Sequence, residues 1–165
     1  MIEEREGWFV VNVRDAKWVG TPEFGKRCVF EMQGRFPQTG VRLALIEPGQ
    51  PNCHYHRENA QEDFLVLSGE CVMLVNGQER RLVAWDFVHC PPGVSHVFVG
   101  AGEGPCVMVM IGHRPEKHEL FYPQHELARR HRAETPEPTP DPRVSYRDVA
   151  PPKPIDPPEW PPRRA

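Results

Sequence analysis

The sequence has no long hydrophobic run, no concentrated block of positive charge and no closely spaced cysteine pair. Each absence removes a class of function. A membrane-spanning helix needs roughly 20 apolar residues, and nothing here approaches that length. Net charge is −3 with both signs interspersed, whereas a nucleic-acid binder needs a concentrated basic face. The one basic cluster, residues 129–132, reads as a solvated helix end. Five cysteines (28, 53, 71, 90 and 106) are an odd number without a Cys-x-x-Cys pair. They are no disulfide framework, and reduced thiols of a cytoplasmic protein are expected. The first residues, MIEEREGWFVVNV, are acidic where a secretion leader is basic. Neither a membrane nor a nucleic acid is expected as partner.

Apolar residues are also scarce, at 39%, but the deficit is local: 11 of the 20 prolines fall between Glu134 and Ala165. The chain therefore divides into a globular part (1–115), a flanking segment (116–133) with a short helix near 124–133, and a proline-rich tail (134–165). Such a tail is extended, with polyproline-like geometry. It is expected either to be disordered or to form an arm on its own or a neighbouring subunit. Its candidate anchors are Val144, Tyr146, Val149, Ile155 and Trp160.

The globular part reads as short strands. Candidates are 8–13, a piece around 28–30, then 41–47, 62–67, 70–75, 78–83, 86–90, 95–99 and 106–111. Turn residues separate them, and Asn76-Gly77 is a strong type I′ hairpin signal. No long helix interrupts the series. The expected fold is all-β, a sandwich or barrel. Several strands are apolar on both faces, so the outer face must also be covered.

Chemistry concentrates between Pro48 and Gly69. His54 and His56 stand at i and i+2, which on an extended strand puts both side chains on one face. Glu62 opens the apolar run 64–67, and His96 follows Pro91-Pro92-Gly93. Three imidazoles and a carboxylate form a nitrogen and oxygen set for one divalent transition metal: Fe, Mn, Zn, Ni or Co. Strand alternation turns Cys53 away from His54. His89 and Cys90 read as lining or core groups, and His113, His118, His125 and His131 as surface.

These residues resemble the cupin superfamily. Its first motif is Gly-x5-His-x-His-x3–4-Glu-x6-Gly, filled here by Gly49, His54, His56, Glu62 and Gly69. The six-residue spacing to Gly69 selects Glu62 over Glu58. The second motif, Gly-x5-Pro-x-Gly-x2-His-x3-Asn, is met at Pro91, Gly93 and His96. Four departures stand out. Four residues separate Gly49 from His54, and five separate His56 from Glu62. Trp85 replaces the first glycine of the second motif, and Gly100 replaces its asparagine. The long loop could bulge Glu62 away, or admit Glu58 or Gln61 in its place.

The resemblance implies a cupin-type double-stranded β-helix, a jelly-roll barrel, with the metal held by His54, His56, Glu62 and His96. It also implies pairing into a homodimer. Two function classes follow. One is a mononuclear metalloenzyme acting on a small molecule, dioxygenase- or isomerase-like, with Glu58 and His89 the only titratable candidates for a base. The other is a non-catalytic metal- or ligand-binding module. Phe64, Val66 and Phe98, with Arg42, are the expected substrate-binding residues. With Val88 they predict a largely apolar lining, suited to a partly hydrophobic or aromatic substrate rather than a sugar phosphate.

Overall fold

The computed structural model describes residues 2–5, 7–32 and 34–159. Its strands are β1 (Ile2–Arg5), β2 (Trp8–Val11), β3 (Lys17–Thr21), β4 (Gly25–Val29), β5 (Thr39–Ile46), β6 (Arg57–Glu58), β7 (Glu62–Ser68), β8 (Glu70–Val75), β9 (Gln78–Val83), β10 (Phe87–Cys90), β11 (His96–Ala101), β12 (Cys106–His113), β13 (Leu120–Phe121) and β14 (Lys153–Ile155). Two short helices, α1 (Glu126–Arg130) and α2 (Pro142–Ser145), lie in the C-terminal third.

A seven-stranded sheet has the order β10-β7-β12-β5-β4-β3-β14, and a three-stranded sheet the order β11-β8-β9. Period-2 alternation sorts their side chains. Ala44 and Ile46 of β5, Phe64 and Val66 of β7 and Met108 of β12 point inward. There they meet Met73 of β8 and Phe98 of β11, so one core joins the two sheets. The jelly-roll expectation holds. Outward residues are covered too. Leu43, Leu45 and Val107 pack with Trp18 and Cys28 in a second cluster. Leu74 and Val97 pack with Tyr55, Ala128 and Ala133 in a third, beneath α1. All five cysteines are free thiols.

Asn76 and Gly77 both have positive φ, 45° and 76°, as a type I′ turn requires. Two hairpins lie outside the expected strand set, and in one of them β1 pairs antiparallel with β2. In the other, only a short piece around Cys28 reads as a strand, yet β3 and β4 pair over five residue positions. The connection turns on Thr21, whose Oγ1 accepts from Phe24 N at 3.0 Å.

The proline-rich segment packs on its own barrel. Tyr122 and Thr139 exchange backbone hydrogen bonds. Thr135 and Ser145 are buried. β14 pairs antiparallel with β3, setting Ile155 opposite Trp18, so the arm supplies an edge strand. Proline is tolerated there because an edge strand need not donate on its outer side. Trp160 lies outside the described residues. No helix among the described residues is long and apolar enough to cross a membrane.

The two departures from the second motif have separate physical reasons. Gly100 runs against the corner at Glu47, and an added Cβ would fall 2.2 Å from the Glu47 carbonyl oxygen. The contact is closed by Gly49 N to Gly100 O, 2.8 Å, and Gly100 N to Gln50 O, 2.9 Å. Trp85 adopts φ 78°, the conformation that favours glycine, while its indole stays exposed. The predicted effects are opposite. Gly100→Ala should destabilise by about 1–3 kcal/mol through overpacking. Trp85→Gly should be neutral or stabilising by up to about 1 kcal/mol, strain relief being partly offset by backbone entropy. Urea unfolding of both variants checks this, and a large loss for Trp85→Gly would contradict it.

Candidate metal centre

The site is built where the chain crosses from one sheet to the other. His56 and His96 exchange both backbone hydrogen bonds, His96 N to His56 O at 2.8 Å and His56 N to His96 O at 3.2 Å. This pairing holds the two imidazole centroids 5.1 Å apart. Glu62 enters from the first position of β7, opposite Gly112 of β12. His56, Glu62 and His96 offer ligand atoms all within 4.8 Å of one another.

The tautomers suit a cation. His56 Nδ1 lies 2.9 Å from His54 O, and His96 Nδ1 lies 3.0 Å from Val94 O. A carbonyl only accepts, so each Nδ1 carries the proton and donates. Each Nε2 is then left as a lone pair, the arrangement found behind metal-bound histidines. Glu62 Oε2 stands 3.1 Å from His96 Nε2, yet it is buried with no hydrogen bond of sound geometry. Two acceptors face each other, and a proton or a cation must lie between them.

Electrostatics reflects this crowding. Burial pushes Glu62 up, but His96 and His56 outweigh it and its carboxyl is held below the usual range. Burial likewise opposes the charge on His96, and Glu62 overcomes it, so His96 is raised. Burial, then the charge of His96, lowers His56 to about 4. Glu58 is raised by burial and then by the charge of Glu62. Its Oε2 also sits 2.5 Å from His118 Nε2.

The group leaves out His54, the fourth residue of the set read from the sequence. Residues 52–55 form a bend rather than a strand, so i, i+2 spacing does not impose a common face. The His54 ring stacks on Tyr146 at 4.5 Å and 10°. Its Nδ1 is 2.9 Å from Ser145 Oγ, and its backbone N donates to the Tyr146 hydroxyl at 3.1 Å. His54 fastens the C-terminal arm, and burial lowers it to about 4. Cys53, expected to turn away from His54, has its Sγ 3.7 Å from His56 Nδ1. Burial raises that thiol far out of the range where a thiolate forms.

A cavity of about 960 Å³ opens beside the group. Arg27, Arg42, Glu58, Glu62, His118 and Tyr146 are among its lining residues. The apolar-lining expectation is therefore corrected. Phe64, Val66 and Phe98 are 2%, 1% and 0% exposed and belong to the core beneath the site. Phe64 floors it, edge-on to the His96 ring at 5.3 Å. Val88 packs against the same core. Of the four expected substrate contacts only Arg42 lines the space. His89, expected inside, is exposed and bonds Asp63 at 2.7 Å. His118 is exposed, as expected, and also lines the cavity and bonds Glu58. Arg27 and His118 carried no sequence signal, since one sits in an unexpected hairpin and the other lies 60 residues from its partner Glu58.

A jelly-roll barrel with a His-Glu-His group at the mouth of its cavity is the class that fold and site define. Residues 42–112 match the cupin domain family model, so this stretch of the chain is a cupin domain. A sugar phosphate isomerase of the cupin superfamily from Silicibacter pomeroyi is similar at 21% identity and TM-score 0.62, covering 71% of this chain and 83% of that one. The polyketide cyclase RemF from Streptomyces resistomycificus is 14% identical at TM-score 0.56, covering 66% and 82%. A structure from Acidithiobacillus ferrooxidans is 24% identical at TM-score 0.52, covering 58% of this chain and 64% of that one, under two thirds of its length. At these identities the likeness shows the fold. No curated protein matches the sequence.

At the cavity rim, Glu31 is gripped by Arg114 through both oxygens, at 2.5 and 3.0 Å. The Arg114 guanidinium holds its carboxyl down at about 2, against an ordinary 4.5. A depressed carboxyl stabilises the fold above the unfolded-state value, and that contribution is lost as pH falls from about 4.5 towards 2. Allowing for solvent screening, about 1–2 kcal/mol should disappear across that window. Glu31→Gln should show a flatter acid limb in urea unfolding between pH 5 and 2.5, on the order of one carboxylate's contribution. Equal slopes would contradict the assignment.

Proposed function

We propose that this chain holds one divalent transition metal through His56 Nε2, His96 Nε2 and Glu62, with Glu58 as the fourth donor, and acts on a small molecule as a mononuclear metalloenzyme. The observation that carries the reading is the buried Glu62 Oε2, 3.1 Å from an imidazole nitrogen yet without a hydrogen bond. Backbone carbonyls behind both histidines fix them as donors of a lone pair. Two imidazoles and two carboxylates suit Fe, Mn, Zn, Ni or Co.

Glu58 enters by spacing as well as by position. His56-x-Glu58-x3-Glu62-x6-Gly69 fits the first cupin motif, with glutamate at the place of its second histidine. This shift of two residues removes the long-loop departure and leaves His54 free to hold the arm. His118 then orients Glu58 as an outer partner.

A metal bound there supplies Lewis-acid polarisation of a substrate oxygen. The protein's own part is to keep the donors aimed, to line the approach with Tyr122 and Tyr146, and to roof the cavity with the arm residues 149–152. Isomerase-like chemistry on a hydroxyl or carbonyl compound is the reading we favour. The outer face of the large sheet, where Leu65, Phe87 and Ile111 come together with Phe87 and Ile111 exposed, supports a homodimer. Light scattering should then exceed the 19.0 kDa of one chain.

Metal analysis of protein purified without chelator tests the site. Wild type and His54→Ala should carry near-stoichiometric metal, and Glu62→Gln and His96→Ala should lose it. His118→Ala should weaken retention by about 10–100-fold, as loss of an outer partner does. Full retention in His96→Ala, or loss in His54→Ala, would overturn the ligand set.

A further inference from the structure

Arg27 of β4 and Arg42 of β5 stand on the inward face of neighbouring strands. Arg27 is opposite Ala44, and Arg42 is opposite Val29. Both line the cavity that contains the His-Glu-His group. Neither is paired with a carboxylate or hydrogen-bonded among the described residues. Five other arginines do have a carboxylate: Arg81 pairs with Glu70, Arg114 with Glu31, Arg129 with Glu134, Arg143 with Asp141 and Arg147 with Glu137. Arg27 is half-buried, and its charge is disfavoured first by burial and then by Arg42. Two like charges are thus held side by side, and the carboxylate that feels Arg42, Glu31, is already paired with Arg114.

Charge counting indicates what belongs there. The rim pair Glu31 and Arg114 cancels itself. A divalent metal would be balanced by Glu58 and Glu62, leaving Arg27 and Arg42 uncompensated. Arginine's planar fork matches carboxylate and phosphate oxygens, often through two parallel hydrogen bonds. Arg42 lies opposite Met110 of β12, and Met110 lies opposite Phe64 of β7, two positions from Glu62. Strands two apart are separated by roughly 10 Å, a gap that a small multi-carbon molecule and an arginine side chain span together.

We propose that Arg27 and Arg42 form an oxyanion clamp, so that the substrate is a small hydroxyl or carbonyl compound with a terminal phosphate or carboxylate. The oxyanion sits between the two guanidinium groups, and the hydroxyl or carbonyl oxygen faces His56, Glu62 and His96. The placement of that second oxygen rests on the metal reading above; the clamp itself does not.

Calorimetric titration of zinc-loaded protein with glucose 6-phosphate, malate and glucose tests this. Chelator-treated protein is titrated with inorganic phosphate alongside. The expected result is binding of at least one oxyanionic probe and none of glucose. Glucose 6-phosphate over malate assigns the clamp to phosphate, and the reverse assigns it to carboxylate. Arg27→Gln and Arg42→Gln should each weaken binding at least tenfold with metal content unchanged. Arg27→Lys and Arg42→Lys, which keep the charge, should lose less and guard against a folding defect. Phosphate binding that persists without metal but falls in the Gln variants supports the clamp even if the metal reading fails. Stoichiometric metal with no oxyanion binding, or Gln variants equal to wild type, would overturn it.

Discussion

The reciprocal backbone pairing of His56 and His96 is the constraint on which the site depends. Two hydrogen bonds join a bend to the first residue of β11. That junction ties the crossing segment to the small sheet, and it also sets the two imidazoles side by side. Glu62 arrives from the large sheet by strand pairing with β12 and β10. No ligand depends on a long mobile side chain. The cost is a buried carboxylate facing a nitrogen lone pair, of order 1–3 kcal/mol or more when left unsatisfied. The cation proposed for this group would satisfy that carboxylate.

Around that junction the remaining parts have separable tasks. The inward core of Phe64, Val66, Phe98 and Met108 fills the closed end of the barrel and supports His96 from below. The outward clusters press the N-terminal strands and α1 onto the two sheets. The C-terminal arm crosses the cavity, held by His54 and by β14 on β3. Its Tyr146 touches Phe24 and Tyr122 as well as His54. One aromatic group therefore links roof, wall and ligand segment.

Much of the barrel was legible because its strands obey simple patterns. The runs 62–67, 70–75 and 106–111 are apolar, bounded by turn residues, and appear where expected. Hairpin β3–β4 was not legible, since Lys17–Thr21 mixes a lysine, a tryptophan and a glycine without clear alternation. The arm was ambiguous because proline content alone does not distinguish a solvated tail from an edge strand. In the site, His56, Glu62 and His96 were read from motif spacing. The face rule for strands does not reach His54, which lies in an irregular segment where its ring stacks on Tyr146. The alternative register, with Glu58 two residues after His56, was present in the same letters. Arg27 and His118 were illegible because their significance comes from three-dimensional proximity alone.

The most direct test of the ligand set is X-ray absorption at the metal edge of zinc-loaded protein, which counts imidazoles from their outer-shell scattering. The account predicts two imidazoles with the remaining donors oxygen, unchanged in His54→Ala. A third imidazole in wild type, lost in His54→Ala, would return His54 to the metal and contradict the register proposed for Glu58.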